Sequence, residues 1–267
     1  MSLDFKKIGQ QAATAEDMTK DNKTAKPLPR AGVALLRFRD YIEYGRETGK
    51  GNNKPALKVA IVFELHHPDH LIKFQDKEGN DKTRVDTIKV QLPKGSTSAS
   101  NFRKLFATMN TASGGGNTHM IQLLGNGFLA EVTHNTVGEG AEAKTYANLS
   151  SASGAWSLKA PTQIDALSNT STPIVINELT EAPKVFLWDN AELDDQTIVD
   201  MWESIYIEGM YESYDDKPAE SRNIHQERIR KNLEWEGSRE QGILDADCDI
   251  VLEDHEIEEG AGEVLDY

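Results

Sequence analysis

Two long runs with a period of two, separated by one polar turn, constrain this chain more than any other feature. The first, RAGVALLRFRDYIEYG (Arg30–Gly45), is rich in β-branched and aromatic residues and is bounded by proline and glycine. Its even positions include Ala34, Leu36, Phe38, Ile42 and Tyr44, and its odd positions include Arg37, Arg39 and Tyr41. Successive side chains of a strand point to opposite faces. Alternation therefore predicts one face on a core and the other presenting two arginines and a tyrosine. After the polar turn RETGKGNNK comes KPALKVAIVFELHH (Lys54–His67), apolar on both faces at its centre. The pair predicts an antiparallel hairpin with a basic loop.

Further strand signals follow at short intervals. Asp69–Pro93 reads as a hairpin turning at Glu78–Asn80, and SASNFRKLFATMN carries Phe102, Leu105, Phe106 and Met109 at helical spacing. Ser98 or Ser100 is its expected N-cap, and the glycines of SGGGN end it. HMIQLLG is a short helix or strand, and Gly127–Val137, Lys144–Trp156 and Ala182–Asn190 are later strands. Five to seven strands with a helix between the early and late ones suggest a small antiparallel barrel of the OB type. The expected class is mainly β with added helices: a barrel, one inserted helix and a helical C-terminal extension.

Charge divides the chain unevenly. Residues 1–111 carry 20 Lys/Arg against 13 Asp/Glu, whereas residues 112–267 carry nine against 31. From Leu244 onward there are ten acids and no Lys or Arg. Such asymmetry points to charged partners, and the acid block to a solvated tail. With 38% hydrophobic residues, a modest core flanked by solvated segments is expected. The expected organisation is a polar arm over 1–29, a barrel domain over 30–190, a helical extension over 191–243 and an acidic tail over 244–267. The first residues lack the apolar stretch of a secretory leader, and no apolar run is long enough to span a membrane.

The basic, aromatic-interleaved first half is the main functional signal. Binding of single strands without sequence preference needs a cationic groove for phosphates and aromatic faces on which bases stack. The candidates for phosphate contact are Arg37, Arg39, Arg46, Lys54, Lys58, Lys73 and Arg84, and those for stacking are Tyr41, Tyr44 and Trp156. Any one aromatic, taken alone, is better explained as core; the pattern as a whole favours nucleic acid. At the other end, EEGAGEVLDY joins acids to an apolar and aromatic finish. Glu263, Leu265, Asp266 and Tyr267 are the expected handle for a protein partner.

A β-rich basic body followed by an acidic tail ending in Asp-aromatic resembles the single-stranded-DNA-binding proteins of tailed bacteriophages. The stretches ALLRFRDYIEYGRE, KVAIVFEL and GFLAEVTHNTV carry the likeness, over about residues 30–190 plus the tail. The resemblance implies an OB-fold, non-specific binding of single-stranded DNA in replication and recombination, and a tail that modulates binding and recruits replication or recombination proteins. It also implies work in a host cytoplasm. The tail departs from the bacterial Pro-Phe ending, since it finishes Asp266–Tyr267. A homo-oligomer is compatible with the sequence. The alternative is a virion structural or scaffolding protein that uses its acidic helices and tail for assembly.

No cofactor or catalytic constellation is expected. Gly49–Lys50 is followed by Gly51 rather than Ser or Thr, so a phosphate loop fails. HHPDH supplies His66, His67, Asp69 and His70, sound metal ligands by type, with His119 or His134 as distant reinforcements. Adjacent side chains on a strand point apart, so the histidines read as turn or groove residues and no metal is assigned. Cys248 sits among carboxylates that disfavour its thiolate.

Overall fold

The computed structural model describes residues 28–49, 54–75, 78–140, 143–151, 153–165, 167–211 and 220–246. The expected hairpin forms: β1 (Gly32–Glu47) pairs antiparallel with β2 (Ala56–Leu65). A short 3₁₀ turn at Pro68–His70 leads into β3 (Leu71–Gln75), which pairs with the first half of β4 (Asp81–Pro93). Gly79, at φ +83°, takes the left-handed turn position between them. Helix α1 (Asn101–Ala112) follows, with the Ser100 hydroxyl accepting from the Arg103 amide as its N-cap. Then come β5 (Gly127–Val137) and β6 (Lys144–Asn148). The order β3-β4-β2-β1-β5-β6 gives a curled antiparallel sheet, and β6 returns towards β4.

Smaller elements complete the chain. A hairpin of β7 (Thr162–Ile164) and β8 (Ser171–Pro173) stands apart from the main sheet. Strand β9 (Val185–Phe186) runs parallel to β1 beside Tyr41 and Ile42. Helix α2 (Asp195–Ser204), capped by Asp194, is followed by the pair β10 (Met210–Tyr211) and β11 (Glu220–Ser221). Helix α3 (Ile224–Arg230) and α4 (residues 239–246) end the described chain. The strand expected over Lys144–Trp156 stops at Asn148, with only an isolated bridge from Ser150 to Trp156 beyond it. The last expected strand shrinks to two residues, and in the extension, expected to be helical, Ile224–Arg230 forms a helix of only seven.

Register shows which residues share a face. On β2, Val59, Ile61, Phe63 and Leu65 alternate with Lys58, Ala60, Val62 and Glu64, and directly paired residues lie on the same side. Leu36 opposes Leu65, and Phe38 opposes Phe63. A register shift then falls between Phe38 and Asp40, so Tyr41 opposes Ile61 and Glu43 opposes Val59. Tyr41 thus joins Leu36 and Phe38 on the inner face rather than Arg37 on the outer one. A bulge inserts one extra residue and flips the parity beyond it. The inner face meets α1 and β5 in one apolar cluster containing Leu105, Met109 and Phe128.

The outer face of β1 is covered as well. Ile42, Tyr44, Phe186, Ile198, Trp202, Ile205, Ile229 and Trp235 belong to the same buried cluster. The extension therefore packs on the sheet as part of one core. Gly45 shows how closely. It has φ +79°, and a Cβ there would meet the Asn232 amide group at 2.5 Å. Leu244, placed by sequence at the start of the tail, is buried at 3% exposure within α4.

Candidate nucleic-acid interface

The outer sheet face has two halves with different fates. Over β1, the arginines are consumed internally. Arg37 donates from Nε to the Asn177 carbonyl at 2.6 Å, from one terminal nitrogen to the Gly125 carbonyl at 2.7 Å and from the other to the Ile176 carbonyl. Arg39 forks onto Asp40 at 2.9–3.0 Å and reaches Glu181 at 3.1 Å and Glu64 at 3.5 Å. Burial alone would lower its pKa, but the hydrogen bonds and charges of Asp40, with Glu181 and Glu64, raise it. Glu64, fully buried, also accepts from His66 Nε2, the Thr180 amide and the Thr180 hydroxyl. Residues 176–184 thus lie across β1 and satisfy it.

The two tyrosines expected to stack bases have no free ring face. Tyr41 is fully buried and donates its hydroxyl to Glu43 at 2.7 Å, and burial pushes its pKa up. Tyr44, 1% exposed, hydrogen-bonds His225 Nδ1 at 2.9 Å, and its pKa is pushed up to about 12, chiefly by burial. The Arg228 guanidinium lies 3.9 Å from its ring centroid, and the Lys89 ammonium 5.7 Å. Both residues are core rather than stacking platforms, which is how each aromatic reads in isolation. Trp156 is half-buried at the N-terminal end of α1, where its Nε1 donates to the Asn101 carbonyl.

Over β2 and β4 the cations stay open. Lys58 opposes Pro93, Ala60 opposes Gln91 and Val62 opposes Lys89, so Lys58, Lys89 and Gln91 share the outer face. Lys54, Lys58, Gln91 and Arg228 line a cavity of about 620 Å³ with Glu47 at its edge. Arg228 binds Glu47 at 2.5 and 2.9 Å. Lys54 and Lys58 have no carboxylate partner among the described residues. The Gln91 amide, turned so that its oxygen faces the cations, accepts from Arg228 at 3.1 Å and from Lys89 at 3.0 Å. Burial, then the neighbouring Arg228, lowers the pKa of Lys89. An incoming anion would relieve that repulsion.

Further along the same strand, a second cavity of about 450 Å³ has Arg39, Arg84, Asp86, Thr87, Thr180 and Glu181 in its lining, two of them acids. Beyond it the β3–β4 arm projects Lys73, and Phe74 is 42% exposed with the Arg84 guanidinium 5.9 Å from its ring centroid. From Arg84 to Pro93 the strand spans about 30 Å at ~3.3 Å per residue. The structure therefore brings Lys54, Lys58, Lys89, Gln91 and Arg228 together on the outer face, and Lys73, opposite Thr83, continues that face along the arm. Arg84, opposite Ile72, and Phe74, opposite Lys82, fall on the other face of the arm. Arg228 lies 170 residues beyond Lys58 in sequence, and only the packing of α3 on β1 brings it in. Arg46 is set aside, since it pairs with Glu234 at 2.8 Å.

The histidines of HHPDH serve the turn. His66 bonds Glu64, His67 Nδ1 accepts from the Asp69 amide, and His70 Nε2 donates to the Arg30 carbonyl. Among the described residues no three His, Cys, Asp or Glu side chains are grouped to hold a metal ion, and no helix is long and apolar enough to cross a membrane. Glu263, Leu265, Asp266 and Tyr267 lie outside the described residues. Searches of family models, curated proteins and solved structures find no match to this chain.

Proposed function

We propose that the chain is a sequence-non-specific single-stranded-DNA-binding protein, non-catalytic, whose phosphate-binding strip is the outer face of β4 with the adjoining end of β2. One observation carries the reading: Lys54, Lys58 and Arg228 line one cavity whose lining includes a single carboxylate, Glu47, and Lys89 adjoins it through Gln91. A surface with such an excess of cations is short of anions, and a flexible polyphosphate strand supplies them at regular spacing. Phe74 offers an exposed ring on the other face of the β3–β4 arm, where a strand that passes round the arm gains stacking energy from a base whatever its identity.

The topology supports an OB-type assignment. β1, β2, β4, β5 and β6 take the places of the five barrel strands, α1 sits between the third and fourth, and β3 is an added arm. The tail, with its run of acids, would lower affinity as a tethered polyanion and serve as a handle for replication or recombination proteins of a phage acting in a host cytoplasm. The alternative of a structural assembly protein is favoured by the β7–β8 hairpin, whose Ile164 and Leu167 are exposed at 64% and 100%, with Val175 just after it at 90%.

Anisotropy titration of a labelled oligothymidylate with the full chain, across a range of salt, tests the proposal. Four phosphate contacts predict a slope of log affinity against log salt of about −3, at ~0.7 per contact. The double variant Lys54→Glu/Lys58→Glu is expected to lose binding with its thermal unfolding unchanged. Absence of salt-dependent binding by the native chain would leave the assembly reading.

A further inference from the structure

A groove remote in composition from the cationic strip runs between α1 and residues 156–160. Ala107, Ala112, Leu158 and Ala160 give it an apolar lining, and its volume is about 570 Å³. Lys159 lines it directly. Arg103 and Lys104 stand one turn before Ala107 and Thr108 on the same helix face and are exposed. None of these three cations has a carboxylate partner among the described residues. The walls themselves contain no acid: no Asp or Glu occurs from Thr87 to Ala130, nor from Ser153 to Ile164. The site therefore asks for a segment that is both apolar and acidic.

We propose that this groove seats the end of the same chain, Glu263–Tyr267, with Val264, Leu265 and Tyr267 on the apolar lining and Glu263 and Asp266 towards Arg103, Lys104 and Lys159. Charge alone would direct the acidic segment to any basic surface, and at physiological salt such attraction fades within about 8 Å. Apolar lining without any acid gives the location. The cavities along β4 carry Glu47, Asp86 and Glu181 in their walls, which repel an acidic segment, whereas the α1 groove has no acid in its lining and sets alanine and leucine side chains beside Lys159. Reach is ample. From Ala246, where the described chain stops, 21 residues extend to at most about 70 Å. A body of this size has a radius of gyration of only ~17 Å. The inference goes beyond nucleic-acid binding and does not depend on it.

Paramagnetic relaxation in the full chain tests the seat, without nucleic acid. A nitroxide is placed at Gly262→Cys, just before the seated segment, in a Cys248→Ser background, and backbone amide signals are recorded in ¹⁵N-labelled protein. The expected result is broadening confined to Ala107–Ala112 and Leu158–Ala160, lost in Lys104→Glu/Lys159→Glu and in Leu265→Asp. Broadening centred on Lys54–Lys58 and Lys89–Gln91 overturns the proposal, as does uniform absence of broadening. A third overturning result is broadening that appears only when nitroxide and ¹⁵N are carried by different copies.

Discussion

Arg39 on β1 and Lys58 on β2 stand on the same outer face of the same hairpin, yet one is structure and the other is surface. Arg39 is surrounded by three carboxylates and lies under residues 176–184. Lys58 lines an open cavity and has no carboxylate partner among the described residues. A cation becomes part of the fold when the chain places enough acceptors around it to replace its water, and remains available to a ligand when it does not. Sequence position and residue type say little about which will happen; the inventory of nearby acceptors decides it.

Arg39→Ala breaks the comparison most severely. It leaves Asp40 and Glu64 buried without their shared cation, and breaking such a pair costs about 3–5 kcal/mol. Urea unfolding should show the loss, and a change under ~1 kcal/mol would mean the network is not holding β1. Next comes His225, whose pKa is pushed down to about 4 by burial, with Lys89, Lys184 and Arg228 adding to it. The unfolded chain binds that proton near pH 6.5 and the folded one does not. Stability is therefore complete above about pH 6.5 and falls between about pH 6.5 and 4, by about 3 kcal/mol at ~1.4 kcal/mol per pH unit. His225→Gln removes this component, and the difference between the two unfolding-versus-pH curves isolates it from the carboxylates.

On the open side the effects move from stability to binding. Phe74→Ala is expected to weaken oligothymidylate binding by about 1–3 kcal/mol, the worth of one stacked base, while unfolding stays within ~0.5 kcal/mol. Smallest in affinity but most diagnostic, Lys54→Ala/Lys58→Ala should make the salt slope shallower by about 1.4, or ~0.7 for each lost contact. An unchanged slope would take both lysines out of the strip.

What could be read in advance was local. The β1–β2 hairpin, the β3–β4 turn at Gly79, the Ser100 cap and the helix from Phe102 to Met109 each follow from side-chain periodicity and turn chemistry within a few residues. The bulge between Phe38 and Asp40 is different: nothing in RFRDY marks the extra residue, and one insertion moved Tyr41 from the outer face to the core. Tyr44 was hidden by α3, Arg37 by carbonyls of residues 125, 176 and 177, and Arg228 was delivered from an element too distant for any spacing rule. Lys54, Lys58 and Lys73 stand where hairpin pairing alone positions them, and the same pairing turns Arg84 to the other face of the arm. Phe74 carried a usable signal, an aromatic on a short strand flanked by lysine and acids, but its exposure depends on β3 being an edge strand.

The parallel pairing of β9 with β1 has a consequence for the order in which the molecule assembles. Tyr41 and Ile42 wait for Val185 and Phe186, partners more than 140 residues further along the chain. During synthesis the β1–β2–β4 sheet can pair as soon as it emerges, but Ile42 and Tyr44 then face water until α2 and α3 arrive. Contacts so distant along the chain form late and slowly. The nascent protein therefore spends time with an apolar strip exposed on an otherwise formed sheet, and this interval is when it is most open to aggregation or chaperone capture.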